Sequence, residues 1–180
     1  GKYDVALIYS QVKASAAGVF TRNVVKAHPL VLTKDHLKDG QAQAIIVNSG
    51  NANACMGRDG DQAAWQMAEV TASELGIIQQ DVLVASTGVI GQPMPMDKVI
   101  PGIQTAVEIV KKLCGDEQEK NDQAGNAALA IMTTDTKVKE MALELPCEEG
   151  TVKLGIIAKG SGMIHPNMGT MLCFITTDAQ

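Results

Sequence analysis

Apolar residues recur along this chain at two spacings, and those spacings sort it into strands and helices before any motif is considered. Residues 5–10 and 16–21 are apolar runs on either side of a short polar stretch, and they predict two strands joined by a turn. Residues 29–38 predict a short helix that ends before Gly40. The compact run at residues 44–48 predicts a buried strand, which leads into a Gly/Asn loop over residues 49–55. In residues 61–75, Ala64, Met67, Ala68, Ala72 and Leu75 fall on one helical face, Gln62, Gln66, Glu69 and Ser73 lie elsewhere, and Gly76 stands at the expected stop. A strand over residues 81–87 ends at Gly88 and a Gly/Pro-rich stretch through Pro95. A helix follows from 97 to 113, with Pro101 tolerated only near its first turn.

The second half is more polar. Residues 116–126 predict a mobile surface loop, and residues 127–132 a short helix running into Thr133 and Thr134. Residues 140–145 and 152–158 predict paired strands across a Glu148-Glu149-Gly150 turn, and residues 171–176 a last strand. No repeat or long linker divides the chain, so residues 1–180 are expected to form a single α/β domain with helices outside its sheets.

Composition narrows the function. At 180 residues, 46% hydrophobic and 19% charged, the chain is sized and balanced for a globular domain. Aromatics are 3%, so an aliphatic core is expected and base stacking is hard to arrange. A net charge of −5 argues against nucleic acid, and no basic cluster serves anionic lipid. No apolar stretch reaches the roughly 18 residues of a membrane span, and the start of the sequence lacks a signal-peptide pattern. Cys55, Cys114, Cys147 and Cys173 have no metal-ligand spacing. They are expected as free, mostly buried thiols in a reducing compartment, the cytoplasm or, in a eukaryote, the mitochondrial matrix. Neither a metal nor a resident cofactor is expected.

Familiar catalytic signatures are missing: no nucleophile elbow, Walker loop, dinucleotide fingerprint or zinc pattern occurs. His28 and His36 read as surface or capping residues. His165 sits in a dense segment, Lys159-Gly-Ser-Gly-Met-Ile-His-Pro-Asn-Met-Gly-Thr-Met-Leu172, whose composition alone reads as a long turn. Its chemical possibility lies at Gly169-Thr170. A small residue before Thr leaves the scissile carbonyl open to the threonine hydroxyl, and attack there gives an N-to-O acyl shift. Hydrolysis would free a threonine whose α-amine, with a pKa near about 7.7–8.0, can act as base for its own hydroxyl. Such a nucleophile needs donors for the tetrahedral oxygen. Ser86-Thr-Gly-Val-Ile-Gly91 offers a Thr87 hydroxyl and a Gly88 N–H, or is an ordinary strand exit. Asn48-Ser-Gly-Asn-Ala-Asn-Ala-Cys55 is an anion-binding turn or a simple crossing.

Together these segments resemble the ornithine acetyltransferase family, also called glutamate N-acetyltransferase. The matching stretches are Ala16-Ala-Gly-Val-Phe-Thr21, Val47-Asn-Ser-Gly-Asn-Ala-Asn-Ala-Cys55, Val84-Ala-Ser-Thr-Gly-Val-Ile-Gly91, Ile131-Met-Thr-Thr-Asp-Thr136 and Ile157-Ala-Lys-Gly-Ser-Gly-Met-Ile-His-Pro-Asn-Met-Gly-Thr-Met-Leu172. They occur in family order over nearly the whole chain. The resemblance implies an α/β sandwich of two β-sheets between helix layers, in a precursor that cuts itself before a threonine. It implies α and β chains that stay together as a heterotetramer of two of each. It also implies a ping-pong transfer of acetyl from N-acetylornithine to glutamate in arginine biosynthesis, with acetyl-CoA as a further donor in some members.

By motif, Thr170 is the implied nucleophile, Thr87 and Gly88 the oxyanion donors, and Thr133 and Lys159 the amino-acid contacts. Residues 1–169 would then correspond to the α chain and 170–180 to the first residues of the β chain, whose remainder lies beyond this sequence. The chain departs from the family in carrying Gly169, where Ala is usual. Two other readings stand beside this one: a self-cleaving amidase or aminopeptidase with water as acceptor, and an inactive fragment that serves only assembly.

Overall fold

A computed structural model describes residues 3–113, 117–148, 150–160 and 171–179. Its first sheet is built around β2 (Gln41–Asn51), flanked by antiparallel β1 (Val5–Ser15) and parallel β3 (Val82–Val89). The unbroken apolar run of β2 has a direct cause: both of its faces are covered. Ala44 and Ile46 pack with Val82 and Val84 against one helical layer, while Val47 joins Ala6 on the opposite side. Ile46 and Val47 are both fully buried, each worth about 1.5–3 kcal/mol relative to exposure.

The helical layer comprises α1 (His28–His36), α2 (Gly57–Leu75) and α3 (Met96–Lys112). Met67, Ala68 and Ala72 of α2 and Val99, Ile103 and Val107 of α3 meet the sheet in one cluster. Gly76 ends α2 in a left-handed conformation, as its position predicts. The free edge of β3 is covered by α1. Thr33 donates its hydroxyl to the Val84 carbonyl at 2.7 Å and accepts the Val84 N–H at 2.8 Å, while His36 Nδ1 donates to the Val82 carbonyl at 2.7 Å. An exposed strand edge invites pairing with another chain, and here side chains occupy it.

The second sheet has the order β4-β5-β6, all antiparallel, from β4 (Lys139–Cys147), β5 (Gly150–Lys159) and β6 (Leu172–Thr177). Its inner residues Ile157, Leu172 and Phe174 pack with Ala130, Ile131 and Val47, so one apolar cluster joins the two sheets. Its outer face is different. Met141, Leu143, Leu145 and Ile175 are all exposed. The α/β expectation with two sheets holds, and the helices α1–α3 form a layer on the far side of the first sheet.

Four expectations change. The turn predicted between residues 10 and 16 does not form, because Gln11-Val-Lys-Ala-Ser15 holds none of the Gly, Asn, Asp or Pro that such turns need. β1 instead runs on through an irregularity between Tyr9 and Ala14 and pairs again with Ala42 and Gln41. Residues 16–20 have no regular structure. The polar stretch assigned to a loop forms most of α4 (Glu117–Ala130). Glu, Gln, Lys and Ala are good helix formers, and Gln118 bonds Asp122 one turn on at 2.9 Å. The end of α4 is anchored by buried Ala128 and Ala130. Pro101 lies in the second turn of α3 rather than the first. Finally, Cys55, Cys147 and Cys173 are free but exposed, not buried. Cys114 lies outside the described residues.

Candidate functional site

β2 and β3 end side by side, with Ser49 opposite Thr87 and Gly50 opposite Gly88. Gly88 has a φ of +133°, and a Cβ there would sit 2.2 Å from the Gly50 carbonyl carbon and 2.7 Å from the Asn51 nitrogen. Only a glycine allows both that conformation and that approach. Thr87 lies two residues beyond Ala85, and Ser49 two beyond Val47, so by strand alternation both face the second sheet rather than the helices. Both are more than nine-tenths buried, yet among the described residues neither hydroxyl has a hydrogen-bond partner. Buried hydroxyls without partners are uncommon in folded proteins. Two side by side mark a place where donors remain available.

A second pair sits where β5 ends. Lys159 is 1% exposed and donates from Nζ to the Thr133 hydroxyl at 2.6 Å, across 26 residues of sequence. Burying an ammonium costs several kcal/mol of lost hydration. A lysine at a strand end ordinarily keeps its ammonium in water, and Lys159 does not. Thr133 is placed by the end of α4 and Lys159 by the last residue of β5, each two residues beyond a member of the shared cluster, Ile131 and Ile157.

Asp135 stands beside this pair. Its side chain is 6% exposed and ion-paired with Lys139 at 3.1 Å. Burial alone would raise its pKa, but the Lys139 hydrogen bond, those of the Thr133 and Gly160 amides and the Lys139 charge together hold it below the ordinary value. Sequence reasoning passed over both Asp135 and Ser49, although each lay inside a quoted motif. Their signal was the motif itself, since nothing in their residue types singles them out.

The structure thus brings Thr133 to Lys159, and Thr87 and Gly88 to Ser49 and Gly50. Ala85 of β3 and Ile157 of β5 pack in one cluster, which relates the two pairs. No hydrogen bond joins Thr87 to either Thr133 or Lys159. Gly169, Thr170 and His165 lie outside the described residues.

The asparagine loop ties itself down through its side chains. Asn48 donates to the Asn51 carbonyl at 2.9 Å, Asn51 to the Gln92 and Pro93 carbonyls at 3.1 and 3.0 Å, and Asn53 to the Gly60 carbonyl at 2.9 Å. Both histidines of α1 are structural. His36 is buried against β3 rather than at the surface. His28 Nε2 accepts the Met56 N–H at 3.2 Å, so Nδ1 carries the proton it shares with Asp61 at 2.7 Å. A cavity of about 960 Å³ opens between α1 and α2, lined by Lys26, Leu32, Trp65 and Glu69 among others, and contains none of the residues named by motif. Among the described residues no group of three His, Cys, Asp or Glu could hold a metal, and no helix is long and apolar enough to cross a membrane.

An α/β chain of two three-stranded sheets sharing one apolar cluster is the class this geometry defines. The ArgJ family model matches residues 1–180, and the chain belongs to that family. It is 51% identical over 179 residues to the arginine biosynthesis bifunctional protein ArgJ of Symbiobacterium thermophilum, covering 99% of this chain and 42% of that protein. It is 49% identical to a glutamate N-acetyltransferase of Methanothermobacter thermautotrophicus, covering 100% of this chain and 43% of that one. The chain therefore spans less than half the length of these relatives. Among solved structures it superposes on the ArgJ protein of Bacillus halodurans with a TM-score of 0.82 at 40% identity, covering 96% of this chain and 84% of that one. For the ornithine acetyltransferase of Mycobacterium tuberculosis, solved with ornithine, the TM-score is 0.78 at 37% identity, with 94% and 84% covered.

Proposed function

We propose that this chain is part of an acetyltransferase that moves acetyl from N-acetylornithine to glutamate in arginine biosynthesis, after self-cleavage at Gly169-Thr170. In processing, the Thr170 hydroxyl attacks the Gly169 carbonyl carbon, and the amide nitrogen departs as an amine. Water then cleaves the resulting ester, leaving a Gly169 carboxylate and a free Thr170 amine. In turnover, that amine takes the proton of the Thr170 hydroxyl as it adds to the acetyl carbonyl. The C–N bond breaks, ornithine leaves as an amine, and the acetyl group stays as an ester on Thr170. The glutamate amine attacks this ester and the threonine hydroxyl is restored. Acetyl-CoA would enter at the first step as an alternative donor.

The Thr87 hydroxyl and Gly88 N–H receive the oxyanion, and Lys159 with Thr133 grips the α-carboxylate shared by both amino acids. The observation that carries this reading is the buried Lys159–Thr133 hydrogen bond. A buried ammonium held beside a hydroxyl is a natural anchor for a carboxylate. The Thr87 hydroxyl, without a partner among the described residues and in a family match running the full chain, supports the same reading. The exposed apolar face of the second sheet supports a β chain as partner, in an α2β2 assembly; the names of the relatives support a biosynthetic enzyme, and the free cysteines a reducing compartment such as the cytoplasm.

The test is intact-mass measurement on the complete protein. Two chains split at Gly169-Thr170 are expected, with one acetyl group added to the Thr170 chain by N-acetylornithine. Thr170→Ala should abolish both cleavage and acetylation. A Thr170→Ala protein that still splits in two would remove the assignment, and hydrolysis outrunning transfer to glutamate would favour the amidase reading.

A further inference from the structure

Asp135 bridges the two segments that carry the proposed substrate contacts. Its Oδ1 accepts the Thr133 N–H at 3.3 Å, and its Oδ2 accepts the Gly160 N–H at 3.4 Å and the Lys139 ammonium at 3.1 Å. The bond to Thr133 alone would be a local turn. The bond to Gly160 is not local, because it reaches 25 residues along the chain to the residue after Lys159. Lys159 and Thr133 span the same gap through their side chains. The carboxylate therefore ties the backbones at the feet of the two groups that meet at the tip.

We propose that Asp135 is a positioning residue, whose carboxylate sets the distance between Thr133 and Lys159 and so the shape of the α-carboxylate grip. This rests on the reading of Lys159 and Thr133 as substrate contacts. A carboxylate suits the task because it is acceptor-only and can serve several donors at once. Asparagine has nearly the same shape but keeps a single acceptor oxygen, so it cannot hold both amides. Lys139 is 47% exposed and contributes charge rather than reach.

The experiment compares Asp135→Asn, Lys139→Met and Lys159→Met in the complete, processed protein, by kinetics of both half-reactions and by hydrogen exchange. Asp135→Asn should raise KM for N-acetylornithine and for glutamate together, by about tenfold, since hydrogen bonds to a charged group are worth that much or more. Its kcat should change far less, and exchange should quicken in residues 131–135 and 158–160. Lys139→Met, which leaves both amide bonds in place, should keep KM near that of the unaltered protein. Unchanged KM values in Asp135→Asn, with Lys159→Met raising both, would overturn the positioning role and leave the site standing. Unchanged KM in Lys159→Met would instead remove the site. Should Asp135→Asn fail to fold, the unaltered protein still decides: a Gly160 amide that exchanges without protection has no carboxylate on it, and the proposal falls.

Discussion

Thr87 and Ser49 sit opposite each other with buried hydroxyls that have no partner among the described residues, yet the chemistry proposed asks different things of them. Thr87 adjoins Gly88, whose conformation and contact with Gly50 fix the backbone that would present its N–H. Loss of one oxyanion donor costs about 10²–10³ in kcat. Thr87→Ala should therefore lower kcat by that order with KM little altered, and steady-state kinetics of both half-reactions would show it. A raised KM with kcat intact would make Thr87 a binding group only. Ser49→Ala is the natural comparison, because it removes the neighbouring hydroxyl without touching the Thr87–Gly88 pair. Burial at Lys159 reads differently. Nothing in the residue types foretold a lysine at 1% exposure, and only the order of five motifs directed attention to it.

At the level of elements, the sequence was most legible where burial is two-sided or strictly periodic. The run 44–48, the stripe on α2 and the Gly76 stop all folded as their spacing implied. It was least legible where tertiary contact decides. The polar N-terminal turns of α4 carry no stripe, so their helix follows from propensity and an anchored C-terminal end. The far half of β1 has no periodic signal because it is exposed from Gln11 to Ser15 and held through pairing. The covering of the β3 edge was likewise invisible, since Thr33 and His36 reach strand backbone 51 and 46 residues away. Thr33→Val keeps the shape and removes the hydroxyl, leaving the Val84 N–H and carbonyl without that partner. It should cost about 1–3 kcal/mol of unfolding free energy, measured by urea titration. A cost below about 0.5 kcal/mol would mean the edge is satisfied without α1.

Taken as a whole, the molecule is asymmetric. The first sheet is covered on both faces, while the second offers Met141, Leu143, Leu145 and Ile175 to solvent. Cys173 lies two residues before Ile175 on β6, so the two share that face, and its thiol is exposed. Strand alternation has thus planted a chemical reporter within the patch where a partner layer is proposed. With Cys114 and Cys147 changed to Ser, maleimide should modify Cys173 and Cys55 at similar rates in the isolated chain. In the complete protein Cys55, on the loop ahead of α2, should keep its rate while Cys173 slows by at least about tenfold. Equal rates in the complete protein would mean that the face stays bare. If Cys173 slows as expected, the same thiol would time the docking of the proposed partner layer, second by second, as the complete protein folds.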